Sequence, residues 1–306
     1  MVGTEGLQEE LGRILSQSRL ANVADALGHL WLSIPGHAPH IVPAYQNKPS
    51  RWRLAAPSNT EFYEEPATMV FSALLSRLKP AVVFDIGAWQ GHFSFVAASH
   101  TAAHPNVFAF DMRPAGIEAI QRRTLELGWT DRVHAHLSGL SDTHVGPTRV
   151  WSARMKLFES KPREEEYREA IWRRFKFYLK GDKLRGLREV DLTVTTLDRF
   201  CTDHDLAPGL MKIDVDGYEG KILRGATTLL KTTRPTILLE LHQDELQRDG
   251  ITRTMVADIL FDAGYSALFM TDHHAREPCR LVPVAPGHPL LARQETDMVI
   301  FYPPHN

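Results

Sequence analysis

Three places in the chain combine residue types and spacings that could do chemistry. The first is Asp85-Ile86-Gly87-Ala88-Trp89-Gln90-Gly91, which follows an apolar run at 81–84 and precedes a helical pattern, so it should be a strand-to-helix turn. Glycine tolerates positive φ and lets backbone come close to a ligand where a side chain would collide. The spacing is GxxxG rather than GxGxxG, which indicates no pyrophosphate-binding helix start and better suits a small, less anionic nucleoside ligand. Gly87, Ala88 and Gly91 alone would fit an ordinary turn equally well. The second place is Asp111, which ends the next apolar run 20 residues after Gly91. A carboxylate there can accept hydrogen bonds from both hydroxyls of a ribose and would repel a phosphate. The third is the pair of strand-like runs ending in Lys212-Ile213-Asp214-Val215-Asp216-Gly217 and Leu239-Glu240-Leu241-His242. These carry oxygen and imidazole groups of the kind used for proton transfer or for holding a divalent cation.

The elements that must position these groups follow from the hydrophobic pattern. Short continuous apolar runs alternate with helical patterns from residue 81 onward: AVVFDIG, NVFAFD, RVHAHLSGL, LMKIDVDG, TILLELH, YSALFM and DMVIFY. Strands apolar on both faces and separated by helices predict an α/β fold with a doubly wound, mostly parallel seven-stranded sheet. Ligands in that architecture bind at the carboxyl ends of the strands, and DIGAWQG, FDMRP, LSGLSD, KIDVDG and LELH are polar there. Asp85 could then anchor the ammonium of an amino-acid moiety, directly or through water. Met112, beside Asp111, counts among the cofactor-binding residues, and Leu137, Ser138 and Ser141, after the third strand, would lie where an adenine ring belongs. Together the glycine turn and the two acids suit S-adenosylmethionine.

Outside that core, Leu7, Leu11, Ile14, Leu15, Val23, Leu27, Leu30 and Trp31 predict one or two amphipathic helices over 7–32, and five prolines make 33–60 an irregular connection. Residues 1–60 are therefore read as a helical N-terminal appendage to a domain at 61–306, with a helix from about Glu64 to Leu78 opening the domain. An insertion at 145–190 interrupts the core. Its segment 161–188 has ten Lys or Arg against five Asp or Glu. Tyr167, Ile171, Phe175 and Tyr178 share a helical face there, predicting either a solvated helix or a basic lid over the site.

The chain has 35 Lys plus Arg and 37 Asp plus Glu, a net charge of -2, which removes the usual argument for a polyanionic partner. No run of about 18 apolar residues offers a membrane span. The two cysteines, Cys201 and Cys279, form no CxxC or zinc-spaced array. With no basic n-region in the first ten residues, a cytoplasmic protein is expected. The 15 histidines are scattered without HExxH spacing, and His273-His274 is a lone pair. A homo-oligomer is left open.

On VFDIGAWQGHFS, FAFDMRP, LSGLSD, TTLDRF, LMKIDVDGYEGKILRGA and ILLELH, in that order, the chain resembles the FkbM-type family of S-adenosylmethionine-dependent methyltransferases over about residues 66–302. The block from Lys212 to Gly225 is the most specific. Trp89 stands where the family often has Asn, and the 145–190 insertion is longer and more basic than the family pattern. The resemblance implies a class I, Rossmann-like methyltransferase fold and O-methylation of sugar or polyketide hydroxyls, that is, a small-molecule or glycan acceptor. A hydroxyl is a poor nucleophile while protonated, so the reaction needs a base or an acidifying metal. Alternation along LELH puts Glu240 and His242 on one side. The leading assignment makes His242 the base, oriented by Glu240 or Asp214. Alternatives make Asp214, Glu240 and His242 ligands of a divalent metal, or purely structural. Lys212 and Glu219 are expected to brace, and His92 to open a helix beside the cofactor. A nucleic-acid methyltransferase has only the basic insertion in its favour, since [ND]PP[YF] is absent after the fourth strand and Pro303-Pro304 follows the last one. A non-catalytic cofactor-binding protein is the third class, against which the set Asp85, Gly87, Gly91 and Asp111 speaks.

Overall fold

All seven apolar runs form strands, and they lie in one sheet. The structure is a computed structural model describing residues 4–17, 21–24, 30–33, 40–41, 64–100, 104–153, 156–158, 161, 187–242, 246, 250–274 and 278–304. In chain order the seven are β4 (Val82–Ile86), β5 (Asn106–Asp111), β6 (Val133–Leu140), β10 (Leu210–Ile213), β11 (Thr236–Leu241), β12 (Ser266–Met270) and β14 (Asp297–Tyr302). Four more strands widen the sheet beyond the expected seven: β13 (Leu281–Val284) on one edge, and β9 (Leu187–Thr195), β7 (Val145–Ala153) and β8 (Lys156–Phe158) on the other. The eleven strands lie in the order β13-β12-β14-β11-β10-β4-β5-β6-β9-β7-β8. From β11 to β9 all neighbours are parallel, whereas β14 runs antiparallel to both β11 and β12.

The described parts of the insertion are strands rather than helix. Residues 145–153 and 187–195 pair as antiparallel strands, with an irregularity between Val145 and Thr148. Pro147 lies inside that irregularity, where its missing N–H costs no ladder bond. The reason is a period of two: Glu189 and Asp191 are exposed, whereas Val190 is half-buried and Leu192 buried. The aromatic stripe expected over 167–178 lies outside the described residues.

Helices cover both faces. On one, α1 (Thr4–Gln17), α2 (Glu65–Leu78), α3 (His92–Ser99) and α4 (Pro114–Leu127) share a core with Val83, Val107, Leu210 and Leu238. On the other, α5 (Leu197–His204), α6 (Glu219–Arg224), α7 (Thr227–Thr232) and α8 (Arg253–Asp262) pack with Phe84, Phe110, Met211 and Leu239. Adjacent strand residues such as Leu238 and Leu239 thus enter opposite cores, as the pleat requires. Full burial of each such side chain contributes roughly 1.5–3 kcal/mol.

The N-terminal helix is shorter than expected. Helix α1 buries Leu7 and Leu11 in the first core, and Gln8 Nε2 donates to Leu281 O on β13 at 2.9 Å. Residues 21–24 and 30–33, predicted as helix, instead form strands β1 and β2, which with β3 (His40–Ile41) make a small antiparallel sheet. Their apolar stretches are too short for periodicity to separate helix from strand.

The C-terminal strand is pinned by a buried ion pair. Arg253, fully buried at the start of α8, donates from Nη1 to Asp297 Oδ2 at 2.7 Å. Arg253→Ala would leave Asp297 buried with the more distant Arg293, at 3.6 Å, as its remaining ion-pair partner among the described residues. Stability is expected to fall by about 3 kcal/mol, read from urea unfolding, because a carboxylate loses its buried partner. A loss under 1 kcal/mol would show that Arg293 takes over the pairing.

The chain runs outward from β4 through β5 and β6, then returns to β10 on β4's other side. The crevice between the carboxyl ends of β4 and β10 is therefore the topological switch point, where an open α/β sheet binds its ligand.

Candidate functional site

The turn after β4 is held from both sides. Gly87 N and Ala88 N donate to Phe110 O at 2.9 and 3.0 Å, fixing the turn to β5. Gly87 has φ of 80°, and a Cβ there would sit 1.7 Å from Asp214 O. Only glycine fits, and the cofactor turn is thereby packed directly onto the end of β10. Gly91, with φ of 82°, precedes α3, and His92 begins that helix as expected, with Nε2 2.8 Å from Thr68 Oγ1.

The two acids of the turn region differ in their surroundings. Asp85 is buried, accepts from Ser94 Oγ at 2.5 Å on Oδ2, and keeps Oδ1 buried without a hydrogen-bond partner. Burial pushes its pKa up, against the pull of Lys212. Asp111 is buried too, but fully occupied: Oδ2 accepts from Trp89 N and Arg113 Nη2, both at 2.7 Å. Its Oδ1 accepts from Arg113 N at 2.7 Å and Arg113 Nε at 2.8 Å. Trp89, with φ of 47°, is in the left-handed region, so its N–H turns toward Asp111. Next along, the Met112 thioether lies over Gly139 on β6, and the Ser138 hydroxyl is buried without a partner. Ser141 N donates to Thr195 O, tying the end of β6 to β9.

Across the switch point, β10 and β11 bring the remaining candidates together. Lys212 is buried and donates to Asp214 Oδ2 at 2.6 Å, with its ammonium 4.7 Å over the Phe93 ring. This is the bracing expected of it. Burial would raise the Asp214 pKa, but Lys212 and then His242 hold it well below the usual carboxylate range. His242 Nδ1 is 2.7 Å from Glu219 Oε1. Its Nε2 faces Asp214 Oδ1 at 3.5 Å, Glu240 Oε1 at 3.8 Å and Asp216 Oδ1 at 3.9 Å. Burial alone would lower the His242 pKa, yet the Glu219 hydrogen bond and the charges of Glu240 and Asp214 push it up to about 10. With no cation beside it, that surrounding favours the imidazolium, whose ring has no lone pair with which to take a proton.

Two residues of this cluster, His273 and Glu64, escape a sequence reading, and Glu219 does more than was expected of it. Glu219, expected as a brace, does accept from Gly217 N at 3.2 Å ahead of α6, and it also orients His242. His273, on the loop after β12, reaches Glu240 Oε1 with Nε2 at 3.2 Å; the adjacent His273-His274 pair was its only visible signal. Glu64 precedes α2 in a left-handed conformation, with φ of 47°, and is buried with Oε2 lacking a partner. Burial, and then the charge of Glu240, raises its pKa to about 7. Nothing in the local sequence marks it.

A glycine turn, an acid at the end of the next strand and a K-I-D-V-D-G strand end thus meet at one switch point. The sequence profile described as "Methyltransferase FkbM domain" matches residues 85–267, which is more than half of the chain. The chain belongs to the FkbM methyltransferase family. This member of the FkbM methyltransferase family has the class I doubly wound fold, with β6-β5-β4-β10-β11-β14-β12 as its seven-stranded core. Solved structures similar to it include the FkbM methyltransferase of Methylobacillus flagellatus KT, at 14% identity and TM-score 0.41, covering 82% of this chain and 58% of that one. The chain therefore spans less than two thirds of that relative. An O-methyltransferase of Bacillus cereus in complex with SAH is 10% identical, with TM-score 0.39 and coverage of 82% and 84%. An SAH-bound methyltransferase of Podospora anserina is 13% identical, with TM-score 0.39 and coverage of 86% and 93%. Among curated proteins no relative matches. No helix among the described residues is long and apolar enough to cross a membrane.

Proposed function

We propose that the enzyme transfers the methyl group of S-adenosylmethionine to a hydroxyl of a sugar, glycan or polyketide-like small molecule. The observation that carries the reading is the contact between the two halves of the site: the Gly87 turn abuts Asp214, whose side chain faces His242 and lies in one cluster with Glu240. The residues fit the cofactor. Asp85 Oδ1 and Ser138 Oγ are buried polar atoms without partners, at the ends of β4 and β6 where the amino-acid and adenine moieties would lie. Asp111 would take the ribose.

In the reaction, the acceptor oxygen attacks the methyl carbon in line with the C–S bond. That bond breaks with its electron pair remaining on sulfur, a C–O bond forms, and the hydroxyl proton leaves. The products are a methyl ether, S-adenosylhomocysteine and a proton. The protein contributes positioning, which can supply about 7–11 kcal/mol of such a barrier when the reacting atoms are about 3 Å apart. Asp214, Glu240 and His242 are the groups that would face the hydroxyl.

The test is transfer of label from methyl-labelled S-adenosylmethionine to a panel of sugars, nucleotide sugars, polyketides and short RNAs. Label in a small-molecule methyl ether is the expected result. Label only in RNA would replace this reading with nucleic-acid methylation, and cofactor binding without transfer to any class would leave a binding protein.

A further inference from the structure

We propose that Asp214, Glu240 and His242 form a divalent-cation site, whose ion holds and acidifies the acceptor hydroxyl. The chemistry assigned to the ion rests on the methyl-transfer reading; the site itself rests on geometry. Each of the three offers one ligand atom, and those atoms all lie within 4.8 Å of one another. The distances separate ligation from hydrogen bonding. A charged N–H donating to a carboxylate closes to about 2.7–2.9 Å, as His242 Nδ1 does on Glu219 at 2.7 Å. His242 Nε2 makes no such approach: it stands 3.5 Å from Asp214 Oδ1 and 3.8 Å from Glu240 Oε1. Two ligands about 2.1 Å from one ion are about 3.0 Å apart at a right angle and about 3.4 Å apart at the tetrahedral angle. At the tetrahedral angle a contraction of a few tenths of an ångström would bring His242 Nε2 into ligation range with each of the two oxygens.

The surroundings point the same way. Glu219, fully buried, accepts from the far nitrogen of His242, so an ion would displace the proton of Nε2 alone and leave Nδ1–H on Glu219, as in metal-bound histidines. Lys212 engages Asp214 through Oδ2, so Oδ1 is the oxygen turned to His242. Glu64 adds an independent observation: a buried carboxylate in electrostatic range of Glu240 and Asp214, with Oε2 lacking any hydrogen-bond partner. An unpartnered carboxyl oxygen buried beside these acids is a further oxygen without a donor or cation of its own. Asp214 and Asp216 keep side-chain exposures of 22% and 48%, so the site opens toward the crevice and has positions left for water and an acceptor oxygen. Two carboxylates and one imidazole suit Mn2+, Mg2+ or Zn2+. An ion there would lower the pKa of the hydroxyl so that its proton leaves to water, after which the methyl transfer proceeds as written above, with no change of redox state.

The experiment uses the full chain, stripped with chelator and then titrated with Mn2+ while free aqueous Mn2+ is followed by electron paramagnetic resonance. Zn2+ is titrated in parallel against a chromophoric chelator, and S-adenosylmethionine affinity is measured separately by calorimetry. One ion per chain is expected, with binding weakened at least tenfold in Asp214→Asn and His242→Ala and about 10- to 100-fold in Glu219→Gln. Cofactor affinity and circular dichroism confirm that each variant is folded. A chain that binds S-adenosylmethionine but neither ion would overturn the cation site and leave the methyl-transfer reading standing. Ion binding unchanged in Asp214→Asn and His242→Ala would overturn it as well, by placing the ion elsewhere. Ion binding as expected with no affinity for S-adenosylmethionine would sink the methyl-transfer reading alone.

Discussion

Replacing Asp111 by alanine is expected to weaken S-adenosylmethionine binding several hundred-fold, about 3.5 kcal/mol, because two charge-assisted hydrogen bonds to ribose hydroxyls would be lost at ~1.5–3 kcal/mol each. The geometry makes this a sharper test than the acid's position alone. An ionised carboxylate has about four acceptor sites, and here Trp89 N and three donors of Arg113 occupy them. A ribose can therefore enter only if the Arg113 guanidinium swings away, which frees one site on each oxygen. Arg113→Ala should consequently bind the cofactor more tightly, on the order of fivefold, about 1 kcal/mol, while Asp111→Ala binds it far less. If Asp111 merely braces Arg113, the two variants would behave alike. Calorimetric affinities within threefold of wild type for Asp111→Ala would remove the ribose assignment, provided thermal unfolding shows the variant intact.

The contrast between Asp111 and Arg113 also shows what a sequence can and cannot disclose. Asp111 was legible because an apolar run must end somewhere, and its first polar residue faces the crevice. That Arg113 folds back over it depends on side-chain rotamers, which leave no trace in spacing. Glu240 and His242 were legible for a related reason: two residues apart on a strand, they share a face by the pleat alone. Glu64 and His273 complete the same cluster from far along the chain, Glu64 from a left-handed residue ahead of α2 and His273 from the loop after β12. Their contacts are tertiary, and a single sequence carries no signal for them. The fold divides in the same way. Strands buried on both faces gave continuous apolar runs that could hardly be missed. Strands β7 and β9 lie near an edge, bury one side only, and alternate weakly enough that the basic helical pattern beside them dominated the expectation.

His242→Ala is expected to lower turnover by about 10³, a loss in the range that removal of one proton-transfer or electrostatic group causes, while S-adenosylmethionine affinity stays within threefold. The separation follows from position. His242 lies beyond β11 and touches Glu219, Asp214 and Glu240, whereas the glycine turn, Asp111 and Ser138 lie at the ends of β4, β5 and β6. Removing the ring takes a positive charge, or an ion's ligand, out of a group of carboxylates and leaves them facing one another. Glu219→Gln gives the intermediate case, because it keeps the ring and removes only the carboxylate that orients it. Its turnover should fall about 10- to 100-fold, with the acceptor KM moving less than kcat. If His242→Ala kept more than a tenth of wild-type turnover on a verified acceptor, the cluster at β10 and β11 would not be where the hydroxyl is activated. If instead both variants lost cofactor affinity in parallel with turnover, His242 and Glu219 would be holding β11 against α6 for the sake of the fold.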